Sequence, residues 1–171
     1  MRFETAATDR HIIVQVVGST SSGTASQTIP SGVIVDGVAA TKLEERSVTG
    51  GGTSAGVSLW AATVPAGSTG TVDVTFPASN RRCGVATFAL YRASYTPTNN
   101  GDDGVSGTTN LSTAVTVPIR GIYAVTGSDS ADNNSIAITG SGVARVLDEE
   151  VEGGTRMSAA LLNLSSTVAG V

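Results

Sequence analysis

The chain has 171 residues, a formal net charge of −4 and a single cysteine. That length fits one domain with its own core, since about two-thirds of the unfolded surface is buried at such a size, and the lone Cys83 excludes an intrachain disulfide scaffold. With no basic run to neutralise phosphates and no apolar run near the ~20 residues of a membrane span, neither nucleic acid nor a bilayer is expected as a partner.

Gly, Ser and Thr make up more than a third of the residues, and Lys42 is the only lysine. Val and Thr suit strands, Gly and Ser suit turns, and good helix formers are scarce. The composition therefore predicts an all-β protein with small core side chains. The start, MRFETAATDRH, carries no hydrophobic segment and predicts no signal peptide. Synthesis is expected in a cytoplasm, with any later release by another route such as lysis.

In chain order, residues 1–10 are polar and mixed and read as an N-terminal arm. HIIVQVV (11–17) is the first predicted strand, and GSTSSGTASQ (18–27) is a flexible loop by composition. VIVDGVAATKLEE (33–45) predicts a hairpin. Its Asp36-Gly37 pair suits the two-residue turn that needs positive φ at both central positions. SVTGGGTSAG (47–56) reads as a glycine-rich loop.

In Val57–Val64, Trp60, Ala62 and Val64 fall on one face and Val57, Leu59 and Ala61 on the other. Two apolar faces predict a strand central to its sheet. In TVDVTF (71–76), Val72, Val74 and Phe76 should face the core while Thr71, Asp73 and Thr75 face water. GVATFALYRA (84–93) is a further strand, with Ala86, Phe88 and Leu90 on its core face. TPTNNGDDGVSGTTN (96–110) and SDSADNN (128–134) read as polar loops. STAVTV (112–117), GIYAVTG (121–127), SIAIT (135–139) and GVARVL (142–147) read as strands. The segment 156–171 fits either a helix or a strand, and the strand is preferred because SSTV resists helix. TIPSG (28–32), TVPAG (63–67) and TVPIRG (116–121) look like strand exits, with Pro setting φ and the following Gly taking positive φ.

The expected architecture is thus a two-layer antiparallel β-sandwich, immunoglobulin-like or jelly-roll, of about nine to ten strands with little helix. Residues 1–10 form the arm, and 11–171 form a single domain.

Signals for chemistry are weak. GTSAG (52–56) matches the nucleophile-elbow pattern around Ser54. That motif needs a strand before it, a helix after it and a histidine partner, and the only histidine is His11. His11 is expected to start the first strand as a neutral, hydrogen-bonded side chain, since no second histidine or cysteine pair exists to build a zinc site. Cys83 is expected as a small buried apolar residue, although Arg81 and Arg82 beside it are the neighbours a reactive thiol would want.

Carboxylates cluster at Glu44 and Glu45, at Asp102 and Asp103, and at Asp148, Glu149, Glu150 and Glu152. Glycoside cleavage needs two carboxyls facing across a cleft, normally walled by aromatics. One tryptophan and three tyrosines are thin support for that, so solvated turns are the expected setting. NNGDDG and SDSADNN are oxygen-rich but lack the spacing of a calcium hand, which leaves calcium open. The N-x-S/T matches at Asn110, Asn133 and Asn163 carry little weight without a secretion signal. No catalytic, cofactor-binding or metal-ligating residue is assigned, and no enzymatic activity or cofactor is expected.

The stretches SGVIVDGVAATKLEE, GVSLWAATVPAGSTGTVDVTFPAS, CGVATFALYRA, VTVPIRGIYAV and LDEEVEGGTRMSAA, in that order, resemble β-sandwich structural proteins of tailed bacteriophages and prophages. The resemblance covers roughly residues 30–160, and its motifs are turns and core strands. It implies a virion component, with capsid decoration (cement) at the outer shell surface as the first expectation. The partners it implies are the major capsid protein or other virion proteins, and further copies of the chain, with a trimer as one option. Residues 1–10, or the loops 18–27 and 47–56, would then order on docking. The alternative is a carbohydrate-binding or adhesion module on a tail fibre, for which Tyr91, Tyr95 and Tyr123 are the available aromatics.

Overall fold

A computed structural model describes residues 1, 3, 5–21, 23–50 and 52–91. It also describes the backbones of strands 116–117, 122–129, 144–152, 155–163 and 168–169. The protein is built of antiparallel β-sheets, and no α-helix occurs among the described residues. The strands are β1 (Arg10–Thr20), β2 (Gly32–Val35), β3 (Val38–Ala39), β4 (Thr41–Gly50), β5 (Thr53–Thr63), β6 (Val72–Thr75), β7 (Arg82–Tyr91), β8 (Thr116–Val117), β9 (Ile122–Asp129), β10 (Ala144–Glu152), β11 (Thr155–Asn163) and β12 (Val168–Ala169).

Four strands form the central sheet in the order β4-β5-β1-β7, and a smaller sheet runs β3-β2-β6. The side chains of β1 alternate between two apolar environments. Ile12, Val14 and Val16 join Val33, Val35, Trp60, Ala62 and Val64 in a core between these two sheets. Ile13 points the other way and packs with Leu59 and Ala61, against partly buried Leu43, Phe88 and Leu90. A third sheet, β10-β11-β9, lies near the central sheet, with β9 near β5, β11 near β1 and β10 near β7. Such a strand is buried on both faces, which explains why its sequence is a continuous apolar run with little alternation.

The expectations for 57–64 hold. β5 lies between β4 and β1, and its two apolar faces serve the two cores. The Asp36-Gly37 turn is as expected, with φ of +49° and +81° and Val35 paired to Val38. Val72, Val74 and Phe76 pack inward from β6 and its end, while Thr71, Asp73 and Thr75 are exposed. In TVPAG, Gly67 takes a φ of +73°. In TIPSG it does not happen, because Gly32 already belongs to β2. The segment 155–163 is a strand paired to both β10 and β9, as preferred over a helix. On β7, Phe88 and Leu90 face the second core as expected, and Val85 and Ala89 face the first.

Two expected loops are instead structure. Residues 47–50 and 53–56 pair with one another at the end of a long β4–β5 hairpin, with Gly50 opposite Thr53 and Gly52 at a φ of +80°. Residues 18–20 complete β1, and Ala25–Thr28 form a 3-10 turn. Within that turn the Thr24 N–H donates to Gln27 Oε1 (3.1 Å), and Thr28 Oγ1 donates to the Ala25 carbonyl (2.6 Å).

The glycines that made these stretches look loose serve as a window. Gly18 and Gly56 are direct partners across β1 and β5. A Cβ at Gly18 would lie 2.5 Å from the Thr28 carbonyl oxygen, and one at Gly56 would collide with Thr28 Oγ1. The missing side chains let the 3-10 turn rest on the sheet, a close approach that Gly alone permits. Of the polar reading at 128–134, Ser128 and Asp129 instead end β9, paired with Met157 and Arg156; the rest of it, the polar reading at 96–110 and the strand reading at 135–139 lie outside the described residues.

Candidate functional site

The only serine–histidine pairing that the sequence offers is not made. Ser54 and His11 lie on neighbouring strands of one ladder, but at opposite ends. Ser54 pairs with Thr20 and His11 with Thr63. Nine residues of strand separate them, roughly 30 Å at about 3.3 Å per residue.

Ser54 sits inside β5, not on an exposed turn, and is 1% exposed. Its hydroxyl donates to the Gly23 carbonyl (3.0 Å) and shares a hydrogen bond with Thr49 Oγ1 (2.8 Å). The first fixes the hairpin to the residues before the 3-10 turn, and the second ties its two strands together. His11 stands second in β1, and its Nδ1 shares a 3.0 Å hydrogen bond with Thr63 Oγ1. It starts the first strand, as expected.

The carboxylates are not in turns. Glu44 and Glu45 lie on β4, and Asp148, Glu149, Glu150 and Glu152 lie on β10. Strand, not turn, therefore replaces the expected setting for both clusters, while Asp102 and Asp103 lie outside the described residues. Glu45 accepts from Lys42 Nζ at 2.6 Å, and that ammonium also stands 5.7 Å from the centre of the Trp60 ring. Trp60 itself is 5% exposed and donates from Nε1 to Ser58 Oγ (2.8 Å). It is a core residue with no face free for a sugar ring.

Cys83 corrects another expectation: it is exposed, on β7 opposite Gly18. β7 closes one side of the central sheet, so its alternate residues are not all inside. Among the described residues, no three His, Cys, Asp or Glu side chains gather where a metal could be held. None of the described helices is long and apolar enough to cross a membrane. A shallow open depression of about 250 Å³ lies between Ile29, Pro30, Ser31, Lys42, Glu45 and Pro77. That is below the usual range of small-molecule pockets.

The most elaborate polar constellation was not legible in the sequence. Arg10, the first residue of β1, is completely buried. Its guanidinium donates to four main-chain carbonyls: Nε to Val64 (2.7 Å), Nη1 to Phe3 (3.0 Å) and Gly67 (2.7 Å), and Nη2 to Ala66 (2.5 Å). The Val64 N–H returns a bond to the Arg10 carbonyl (3.2 Å). A planar guanidinium with five donors suits such a fan of acceptors; a lysine ammonium could not span it.

Around this node the segment ahead of β1 folds back on the 64–70 loop. Phe3 is 1% exposed, within the first core, and its ring lies 5.8 Å from the Arg10 guanidinium carbon. The Phe3 N–H donates to the Ser68 carbonyl (2.8 Å), and the Gly70 N–H donates to the Met1 carbonyl (3.1 Å). Further along, Tyr91 Oη donates to the Thr5 carbonyl (2.7 Å). The stretch read as an arm is therefore held at several points, and the hydroxyl of Tyr91 holds it in place. Tyr95 and the side chain of Tyr123 lie outside the described residues.

These features define an all-β protein whose polar side chains are mainly engaged in its own architecture. No known protein family matches the chain, and neither a curated protein nor a solved structure does.

Proposed function

We propose that the chain is a non-enzymatic structural protein of a tailed-phage particle, a β-sandwich of immunoglobulin-like or jelly-roll type that decorates the outer capsid surface. One observation carries its non-enzymatic part: Ser54, the centre of the single motif with catalytic form, GTSAG, is buried in a strand. It is bonded to Thr49 and Gly23 and stands roughly 30 Å of ladder from His11. The stretches that carry the phage resemblance do fold-making work. VIVDGVAA is a tight hairpin, SLWAATV is a doubly buried strand, and VDVTF supplies core side chains.

A shell binder needs a stiff body that tolerates crowding and shear, and sheets buried on both faces supply one. Copies of the chain, as trimers around a local axis or in another closed form, would combine weak contacts with the major capsid protein by avidity. The described parts of 1–10, 18–27 and 47–56 already have their contacts within the chain, so in this reading they meet the shell preformed. Quantitative mass spectrometry of purified particles tests the proposal. Many copies per particle are expected. One to six would move the protein to the tail or baseplate, and absence from any particle would end the reading.

A further inference from the structure

Arg10, Gly70 and the 64–68 loop form a slot in which the arm is seated, and three Arg10 bonds lie on the loop side of it. Val64, Ala66 and Gly67 all belong to the loop, and the Phe3 carbonyl comes from the arm. The slot has a specific plug. Gly70 has no Cβ, and one built there would run into the Phe3 ring. The seated segment adds backbone bonds at Ser68 and Gly70 in the manner of a short added strand.

Removing the plug would open the first core beside Phe3, which packs there at 1% exposure. An open apolar slot with unpaired main-chain groups has one ideal replacement, the same segment from another copy. Thr5, Ala6, Thr8 and Asp9 between plug and strand are exposed or only partly buried. Extended, the six residues between Phe3 and Arg10 reach about 20 Å. No ladder of the central sheet has to break for the segment to leave.

We propose that the slot is a self-association site: the Phe3-bearing arm of one copy seats in the Gly70 slot of a second. Made reciprocally between two copies, the exchange is isologous. It closes as a two-fold pair and reuses contacts that already exist within one chain. It does not depend on the virion reading, because association by another surface would leave that reading intact.

Two variants of the full chain separate exchange from other association. Phe3→Asp spoils the plug and keeps the slot; Gly70→Val blocks the slot and keeps the plug. Mixed at equal concentration after brief partial unfolding, they are expected to yield a species of twice the chain mass by light scattering, while Phe3→Asp alone stays at the single mass. Variants that both keep the native far-ultraviolet spectrum yet never exceed the single mass when mixed would overturn the proposal. Should either variant fail to fold, wild-type chains labelled at Cys83 with donor or acceptor dyes decide it. Energy transfer after co-incubation at high concentration, reversed by an excess of unlabelled wild-type chain, is expected. Its absence, or its persistence when Phe3→Leu competes as poorly as an unrelated protein, would count against exchange: a leucine plug should compete at least several-fold better than that.

Discussion

Replacing Arg10 by methionine removes the guanidinium and keeps an apolar side chain of similar reach. Two of the four carbonyl bonds described for Arg10, to Val64 and Phe3, are buried. The other two, to Ala66 and Gly67, are partly buried and lie where water can return. A buried acceptor left without its donor costs about 1–3 kcal/mol. The two buried carbonyls together with loosened packing of Phe3 therefore put the expected loss near 3–5 kcal/mol. A domain of this size has about 5–15 kcal/mol in total, so the change should be plain in a urea titration, as a midpoint shift with an unchanged slope. Arg10→Lys keeps the charge but not the fan of donors, and should fall between the two. Hydrogen exchange should speed at Phe3 and Gly70 before it does in β1. A methionine variant that loses less than about 1 kcal/mol would refute the idea that the carbonyl node matters to the fold.

Other outcomes follow from the same geometry. Gly56→Ala forces a Cβ into Thr28 and should cost about 1–3 kcal/mol by overpacking, whereas Gly32→Ala, with open space around it, should leave the melting temperature nearly unchanged. Gly37→Ala meets a φ of +81° and should destabilise by about 1 kcal/mol, read in the same titration. The exposed Cys83 should take up one equivalent of a thiol reagent per folded chain, at a rate within a few-fold of the denatured chain; slow labelling would contradict its position. Ser54 should resist an organophosphorus serine probe in the folded protein, and modification found there by mass spectrometry would reopen the hydrolase reading.

Where local pattern and tertiary role coincide, the amino-acid order was enough. Trp60 and Leu59 announce a doubly buried strand through two apolar faces, and Asp36-Gly37 announces its turn through backbone sterics. Reading failed where a residue answers to a distant one. The glycines at 18 and 56 suggest looseness in isolation; their partner in the fold is the 3-10 turn that lies on them, and composition holds no trace of that. Arg10 bonds to carbonyls more than fifty residues away, and main-chain oxygens have no letter in the sequence. Cys83 misled because small apolar residues are usually inside, while the alternation on a flanking strand put this one outside. The pattern around Ser54 lacks a following helix and a nearby histidine, and its actual surroundings, the paired end of a hairpin, are hidden by the run of glycines around it.

The outermost strand β4 carries Lys42, Glu44, Glu45 and Arg46 in close succession. Bare sheet margins zip together when molecules are packed tightly, and mixed charge along the margin makes that annealing unfavourable. A protein made in quantity could thus accumulate to high local density without fibres seeding from this side, and neutralising those four side chains should turn a clear concentrated solution into a gel.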